Sequence, residues 1–118
     1  MEIQHLSDEI MLVVLAPEPG ISEDLEVVAM TLQERGQCDV IVDFTRVDVI
    51  GSSAIGKLLQ VRDIVRKQDR ELILSSMALA TKCIFKVVGL EDVFRFSPDR
   101  DTALAFLGRA ENPTHHAG

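Results

Sequence analysis

Short segments rich in apolar, often β-branched residues recur along the chain and predict five strands. The predicted strands cover residues 2–6, 10–16, 40–42, 72–74 and 93–96. Ser7, Asp8 and Glu9 separate the first two strands and predict a hairpin turn. The run at 40–42 is an uninterrupted Val-Ile-Val between two aspartates, which is typical of a central strand buried on both faces.

Between these segments, apolar residues are spaced three and four positions apart, which predicts amphipathic helices. The first helix follows the loop Pro17-Glu18-Pro19-Gly20, with Ser22 as its predicted N-cap and Gly36 at its end. The second helix has the apolar residues Ala54, Ile55, Leu58, Val61 and Val65. Gly56 lies inside it, where a glycine costs about 0.5–1 kcal/mol, so we expect Gly56 to allow close packing against the sheet.

Two further helices are predicted towards the C-terminus. The third covers residues 78–88 and stops at Gly89. The fourth opens with Ser97-Pro98-Asp99, where Pro98 is predicted to take the first helical position. Its apolar stripe consists of Ala103, Phe106 and Leu107.

The resulting order of elements is β-β-α-β-α-β-α-β-α. Strands that alternate with helices after an initial hairpin predict one α/β domain with a mixed sheet, in which parallel strands are joined by helical crossovers. We assign residues 1–110 to this domain and residues 111–118 to a flexible C-terminal tail. In such a sheet, functional sites gather at the carboxyl ends of the strands, where helix N-termini point.

The composition indicates which binding partners, cofactors and cellular location to expect. The 118 residues include nineteen acidic and twelve basic ones, for a formal net charge of −7. We therefore expect no nucleic-acid partner, because nucleic acid needs a basic face. No signal-peptide pattern is present and the longest apolar run is too short to insert into a membrane as a helix, so we expect a cytoplasmic protein. Cys38 and Cys83 have no ligand-like spacing, and we expect neither a metal nor another cofactor.

The segment VDVIGSSAIGKLL, residues 47–59, joins the third predicted strand to the second helix, with Gly51, Ser52 and Ser53 at the joint. A helix begins with four unpaired N–H groups. Ser52 or Ser53 as an N-cap would satisfy one of them and stabilise the helix by about 1 kcal/mol. Composition and spacing by themselves favour this cap.

The same joint is compatible with a second interpretation. A helix N-terminus favours anions through its free N–H groups and its dipole. A serine there can accept a phosphoryl group, which adds about −1.5 to −2 charges. Such a group would leave the fold in place and repel a partner bound to the surrounding surface.

Asp43, at the end of the third predicted strand, is expected to hold the following loop by hydrogen bonds. A phosphoacceptor aspartate of the receiver type would need an acidic pair after the strand at 10–16, and Ala16-Pro17-Glu18 does not supply one. The chain also has no P-loop, no zinc-ligand spacing and no Gly-x-Ser-x-Gly turn, so we do not expect an enzyme.

The residues around the joint resemble those of a known family. The resemblance is to the STAS domain family, and within it to the anti-sigma factor antagonists of bacteria. It is carried by Asp43-Phe44-Thr45, the apolar residues 47–50, Ser52-Ser53-Ala54-Ile55-Gly56 and Leu58-Leu59. The helix end at Gly89-Leu90 is similar to the closing part of the family, and the resemblance covers nearly the whole chain.

In that family, the serine directly after a motif Asp is the phosphorylation site, and the corresponding residue here is Ser52. The resemblance implies that the unphosphorylated protein binds an anti-sigma factor that is also a serine kinase, which frees a sigma factor. Phosphorylation by this kinase would break the complex, and a PP2C-type phosphatase would restore it. Gly51 stands where the family usually has Asp, and Ala54 where it often has Gly.

A contact surface for the partner is predicted around Ser52, at the start of the second helix and in the neighbouring loop. Its members are Ile50, Gly51, Ser53, Ile55, Ser75, Ser76 and Met77. The alternative function, which other branches of the family resemble, is a STAS accessory subunit of a transport ATPase or signalling scaffold that is not phosphorylated. The absence of the family Asp at position 51 favours this alternative.

Overall fold

The computed structural model describes the backbone of residues 1–111 and the side chains of residues 1–108. Five strands and four helices follow one another in this part of the chain. They are β1 (Glu2–Ser7), β2 (Ile10–Val14), α1 (Ile21–Arg35), β3 (Asp39–Asp43), α2 (Ser52–Lys67), β4 (Leu72–Ser75), α3 (Leu79–Val87), β5 (Arg95–Ser97) and α4 (Arg100–Glu111).

The strands form one mixed sheet in the order β1-β2-β3-β4-β5. β1 and β2 pair antiparallel as a hairpin, and the remaining neighbours pair parallel. Each parallel connection contains a helix, as the sequence pattern predicts. The α/β class and the predicted order of elements are confirmed.

The two faces of the sheet are covered unequally. On one face, alternate residues such as Met11 and Val13 in β2 pack with Val40 and Val42 in β3 under α1, α2 and Phe85 of α3. The opposite face is covered by α4. Its smaller cluster contains Leu12, Val14, Ile41, Ile73, Ala103 and Leu107. Because successive side chains of a strand point to opposite faces, β3 is buried on both, as its composition predicts.

Arg70 forms an ion pair with Asp39, the first residue of β3. The Arg70 guanidinium donates to both carboxylate oxygens of the buried Asp39, with its Nε 3.1 Å from Oδ1 and its Nη2 2.9 Å from Oδ2. The backbone N–H of Glu71 also donates to Oδ1 of Asp39, at 2.8 Å. This ion pair fixes the start of β4 beside the start of β3.

Two predicted N-caps were wrong. α1 starts at Ile21 with Gly20 as its N-cap, so Ser22 lies inside the helix. α2 starts at Ser52 with Gly51 as its N-cap, so neither Ser52 nor Ser53 caps it. Neither helix has a side-chain cap hydrogen bond from its N-cap residue, because that residue is a glycine in both.

The predicted boundaries near the C-terminus also shift. Residues around Val93 form a turn, with the Val93 N–H 3.1 Å from the Leu90 carbonyl oxygen, and β5 begins only at Arg95. Pro98 is not the first residue of α4. Asp99 instead precedes the helix and accepts the Thr102 N–H at 2.7 Å, in the manner of an N-cap.

α4 extends to Glu111, the first residue of the predicted tail. The rest of that tail lies outside the described residues.

Gly56 does not serve the packing role predicted for it. It lies on the exposed side of α2, and a Cβ added there would have no heavy atom within 4 Å. The side chain that faces the core in this part of the helix is Ala54, which is fully buried. Gly56 therefore carries the entropic cost of a helical glycine without a packing benefit.

Replacing Gly56 with alanine is expected to stabilise the protein by about 0.5–1 kcal/mol, because alanine loses less backbone entropy in a helix. Urea denaturation would measure the change. Gly36→Ala is the matched control, because Gly36 also has open space around it but has a φ of +92°, and this variant is expected to lose stability. A destabilised Gly56→Ala protein would contradict the packing described here.

Candidate functional site at the start of α2

The candidate site lies on the loop that leaves the carboxyl end of β3 and enters α2. Three apolar side chains of this loop, those of Phe44, Val47 and Ile50, are buried and anchor it to the main core. A tight turn adds to this anchor, with the Val47 N–H 2.9 Å from the Phe44 carbonyl oxygen. Val49 points the other way and is 64% exposed. The loop therefore presents a fixed backbone and one large apolar side chain to solvent.

Asp43 ties this loop to two other parts of the fold. Its Oδ1 accepts the Thr45 N–H at 2.7 Å and also the Thr45 hydroxyl. Its Oδ2 accepts the Nε–H group of Arg100, which lies in the first turn of α4, with 2.6 Å between Nε and Oδ2. Burial by itself raises the pKa of Asp43, but the hydrogen bonds from Thr45 and Arg100 and the charge of Arg100 outweigh it and hold the pKa below its ordinary value.

A carboxylate that the sequence analysis did not select lies at the N-termini of both α1 and α2. Oε2 of Glu18 is 3.1 Å from the Gly51 nitrogen, and its Oε1 is 3.4 Å from the Ile21 nitrogen. A negative group at this position also interacts favourably with the dipoles of the two helices. Glu18 thus takes the place of the missing side-chain caps and holds the two helix starts together.

The two serines of the joint have different surroundings. Ser53 Oγ is 2.8 Å from Ser22 Oγ, so these hydroxyls bond to each other across the α1–α2 contact. Ser52 is exposed and its hydroxyl has no hydrogen-bond partner among the described residues. Ser52 is therefore the hydroxyl of this pair that is available to an incoming group.

Three of the residues predicted for the contact surface are buried in this structure. Ile50 and Ile55 belong to the main core. Ser75 is fully buried as the last residue of β4, where its carbonyl oxygen accepts the Phe44 N–H at 2.9 Å. The pattern of the sequence marks these positions as adjacent to Ser52, but it does not show that their side chains point inward.

The remaining predicted positions are at least partly accessible. Gly51 and Ser53 are exposed, and Ser76 and Met77 are half-buried. The Ser76–Met77 segment lies at the same edge of the sheet as the loop, because β3 and β4 are paired and parallel. The hydroxyl of Thr81 in α3 donates to the carbonyl oxygen of Asp48 at 3.1 Å, which joins the loop to the next helix.

Sequence reasoning missed Val49, Glu18 and Arg100. A usable signal existed for Glu18 and Arg100, because each follows the carboxyl end of a predicted strand and such ends meet at one edge of a parallel sheet. Among the described residues, no group of three or more acidic, histidine or cysteine side chains is placed to hold a metal ion. No helix of the described chain has the length and apolar character that spanning a bilayer demands.

Comparison with known proteins assigns the family. The model of the STAS domain matches residues 15–103, which is most of the chain. The chain belongs to the STAS domain family. The matched residues include β3, the candidate loop, α2 and Arg100. No curated protein gives a significant match to the chain.

Solved structures with this STAS fold include proteins of different roles. An anti-sigma-factor antagonist domain protein from Planctomyces limnophilus has 18% identity and a TM-score of 0.73, over 88% of this chain and 95% of its own. The phosphorylated form of the Bacillus cell fate determinant SpoIIAA has 14% identity and a TM-score of 0.68, over 90% and 97%. A sulfate transporter family protein from Wolinella succinogenes has 22% identity and a TM-score of 0.69, over 83% and 82%. At these identities the likeness establishes a shared fold.

Asp43→Asn is expected to cost roughly 1.5–3 kcal/mol at pH 7, the range for hydrogen bonds to a charged group. Because the folded pKa of Asp43 is lowered, its contribution is complete above the unfolded value of about 3.9 and is lost as the pH falls through the folded value. The difference in stability between wild type and variant should therefore shrink in acid.

Urea denaturation at a series of pH values would measure this difference. Asp101→Asn, which changes an exposed carboxylate in the same turn as Arg100, is the control and is expected to stay within about 0.5 kcal/mol of wild type. A difference for Asp43→Asn that is independent of pH would contradict the role given to its charge.

Glu18→Ala is expected to cost about 1 kcal/mol, comparable to the loss of a helix cap, because the Gly51 and Ile21 N–H groups lose their acceptor. Glu23→Ala removes a carboxylate from the first turn of α1 that makes no hydrogen bond among the described residues, and it should cost clearly less. Thermal and urea unfolding would compare the two variants. An equal loss of stability in the two variants would contradict the specific role of the Glu18 hydrogen bonds, because any negative charge at the helix start would then have the same effect.

Proposed function

We propose that this STAS domain is an anti-sigma factor antagonist whose binding to its partner is switched by phosphorylation of Ser52. In its unphosphorylated form it binds an anti-sigma factor that is also a serine kinase. Transfer of the terminal phosphoryl group of ATP to Ser52 Oγ, with loss of the hydroxyl proton, ends that complex. A PP2C-type phosphatase hydrolyses the phosphoserine and restores binding.

The choice of Ser52 over Ser53 is supported by the hydrogen bonding of their hydroxyl groups. Ser52 and Ser53 are both exposed, but the Ser53 hydroxyl is bonded to Ser22 and the Ser52 hydroxyl has no partner among the described residues. A kinase can approach Ser52 without breaking the contact between α1 and α2. The position also agrees with the phosphorylation site of the family that the sequence resembles.

Charge explains how the switch would act. The surface around Ser52 already has the carboxylate of Glu18, 3.1 Å from the Gly51 nitrogen, and the exposed Asp48. Phosphorylation adds about −1.5 to −2 charges to it. A partner that packs on the exposed Val49 beside these groups would meet a hydrated dianion at its contact surface. The complex would then weaken through desolvation and repulsion, without a change in fold.

A second candidate function is a STAS accessory subunit of a transport ATPase or signalling scaffold that is never phosphorylated. The observation that favours it is the Glu18 carboxylate at the start of α2, because a negative group already occupies the anion-favouring end of that helix. A phosphate on Ser52 would have to coexist with this like charge. The two functions differ in whether the affinity for the partner depends on Ser52.

Ser52→Asp is expected to weaken binding to the partner captured from native cells at least tenfold, which corresponds to about 1.4 kcal/mol, and Ser52→Ala is expected to bind like wild type. Addition of ATP should dissociate the wild-type complex and leave the Ser52→Ala complex intact. Isothermal titration or surface plasmon resonance would measure both effects.

Ser53→Ala is the matched control, because it removes the neighbouring hydroxyl and leaves Ser52 unchanged. Its complex with the partner should dissociate with ATP as the wild-type complex does. If Ser52→Asp, Ser52→Ala and wild type bind equally and ATP has no effect, the switch is refuted and the accessory function is favoured.

A further inference from the structure

Two helices on the same side of the sheet expose apolar residues that nothing in the described part of the chain covers. On α1 these residues are Val27, 46% exposed, and Met30, 54% exposed. On α3 they are Leu79, 78% exposed, and Val87, 85% exposed. Exposed apolar residues of this size, grouped on one helix face, mark a contact surface more often than isolated ones do.

The exposed face of α1 is acidic. Glu23, Val27, Met30 and Glu34 are four, three and four positions apart, so they form one stripe along the helix. The apolar pair lies in the middle, with a glutamate on each side. Neither glutamate has an ion-pair partner among the described residues. We call this stripe the acidic face.

The exposed face of α3 is basic. Leu79, Cys83 and Val87 repeat every four positions, and Lys82 and Lys86 form a second row beside them. All five are exposed. α3 contains no acidic residue, although the whole chain has a net charge of −7. We call this stripe the basic face.

We propose that the basic face of one copy of this chain binds the acidic face of a second copy. Both faces carry exposed apolar residues, and their charges are of opposite sign. The glutamates flank the apolar pair of α1 at its two ends, and the lysines lie in a row beside the apolar residues of α3, so the contact buries apolar side chains and pairs lysines with glutamates. The basic face is the shorter of the two and fits within the acidic face, since it extends about 12 Å along the helix axis and the acidic face about 16 Å, at about 1.5 Å per residue.

Charge also decides against symmetric pairing. Two basic faces in contact would place lysines against lysines, and two acidic faces would place glutamates against glutamates; both arrangements are unfavourable. A contact between unlike faces leaves one free face on each copy. Such a head-to-tail contact continues into a ring or an open chain of copies.

The position of the helices in the fold permits this arrangement. α1, α2 and α3 connect successive neighbours of the sheet β2-β3-β4-β5 and contribute to one core on the same face. α1 and α3 therefore lie on opposite sides of α2, and a copy docked on one leaves the other accessible. Neither Ser52 nor the partner proposed above takes part in this contact between copies.

Sedimentation velocity of the full chain over a concentration series, with a reductant to keep Cys83 reduced, tests the proposal. The mean mass of wild type is expected to rise above that of one chain as the concentration increases. Because the contact is partly ionic, the rise should be smaller in high salt. A wild-type mass that stays at one chain at all concentrations overturns the proposal.

Two double variants identify the faces. Leu79→Gln with Val87→Gln changes the basic face, and Val27→Gln with Met30→Gln changes the acidic face. Glutamine adds no charge, so the altered faces gain no ion pair with each other. Each variant alone is expected to remain a single chain at concentrations at least tenfold above those at which wild type associates.

The decisive sample is an equal mixture of the two double variants. One retains an intact acidic face and the other an intact basic face, so the mixture should form complexes of two chains and no larger ones. Leu6→Gln, at an exposed apolar residue of β1, is the control and should associate like wild type. Association that survives in either double variant alone, or that the mixture fails to restore, overturns the proposal and points to a symmetric contact or another surface.

Discussion

The architecture of the candidate site depends on one buried carboxylate, that of Asp43. It lies at the carboxyl end of the central strand and bonds in two directions, to Thr45 in the following loop and to Arg100 at the start of α4. The first contact sets the path of the loop towards Ser52. The second attaches α4, whose residues cover the face of the sheet opposite α1 and α2. A buried charge is tolerated only when it is paired and hydrogen-bonded, and the contacts with Thr45 and Arg100 meet this requirement.

The start of α2 is held in place from the other side by Glu18. Its carboxylate accepts backbone N–H groups from the beginnings of both α1 and α2, and the Ser22–Ser53 hydroxyl pair adds a second link between these helices. The result is a turn that is held by several hydrogen bonds and exposes Ser52 and Val49. A modification of Ser52 on such a turn changes charge at a fixed position, which suits a switch that acts on binding.

Periodicity predicted the order of elements because strands and helices are determined by local patterns of burial. It also identified Asp43 as a residue that holds the loop, since polar residues at strand ends have that role. The position of Arg100 after a strand end was a signal for the site, but its ion pair with Asp43 was missed because the two residues are distant in the sequence. The burial of Ile50, Ile55 and Ser75 was also missed. Near a helix start, the local sequence does not show whether a side chain points towards the core or towards solvent. Ser22, which was expected to cap α1, instead bonds to Ser53 of α2, and propensity does not encode such a contact between helices.

The proposed switch requires that Ser52, and not Ser53, is the phosphoacceptor. It is tested most directly by mass spectrometry of phosphopeptides from the protein isolated from native cells, with partner-bound and unbound fractions analysed separately. We expect phosphate on Ser52 in the unbound fraction, none on Ser53, and an unmodified Ser52 in the fraction bound to a serine-kinase-type anti-sigma factor. Phosphate on Ser53, equal modification of Ser52 in both fractions, or an unmodified Ser52 under all growth conditions would contradict it.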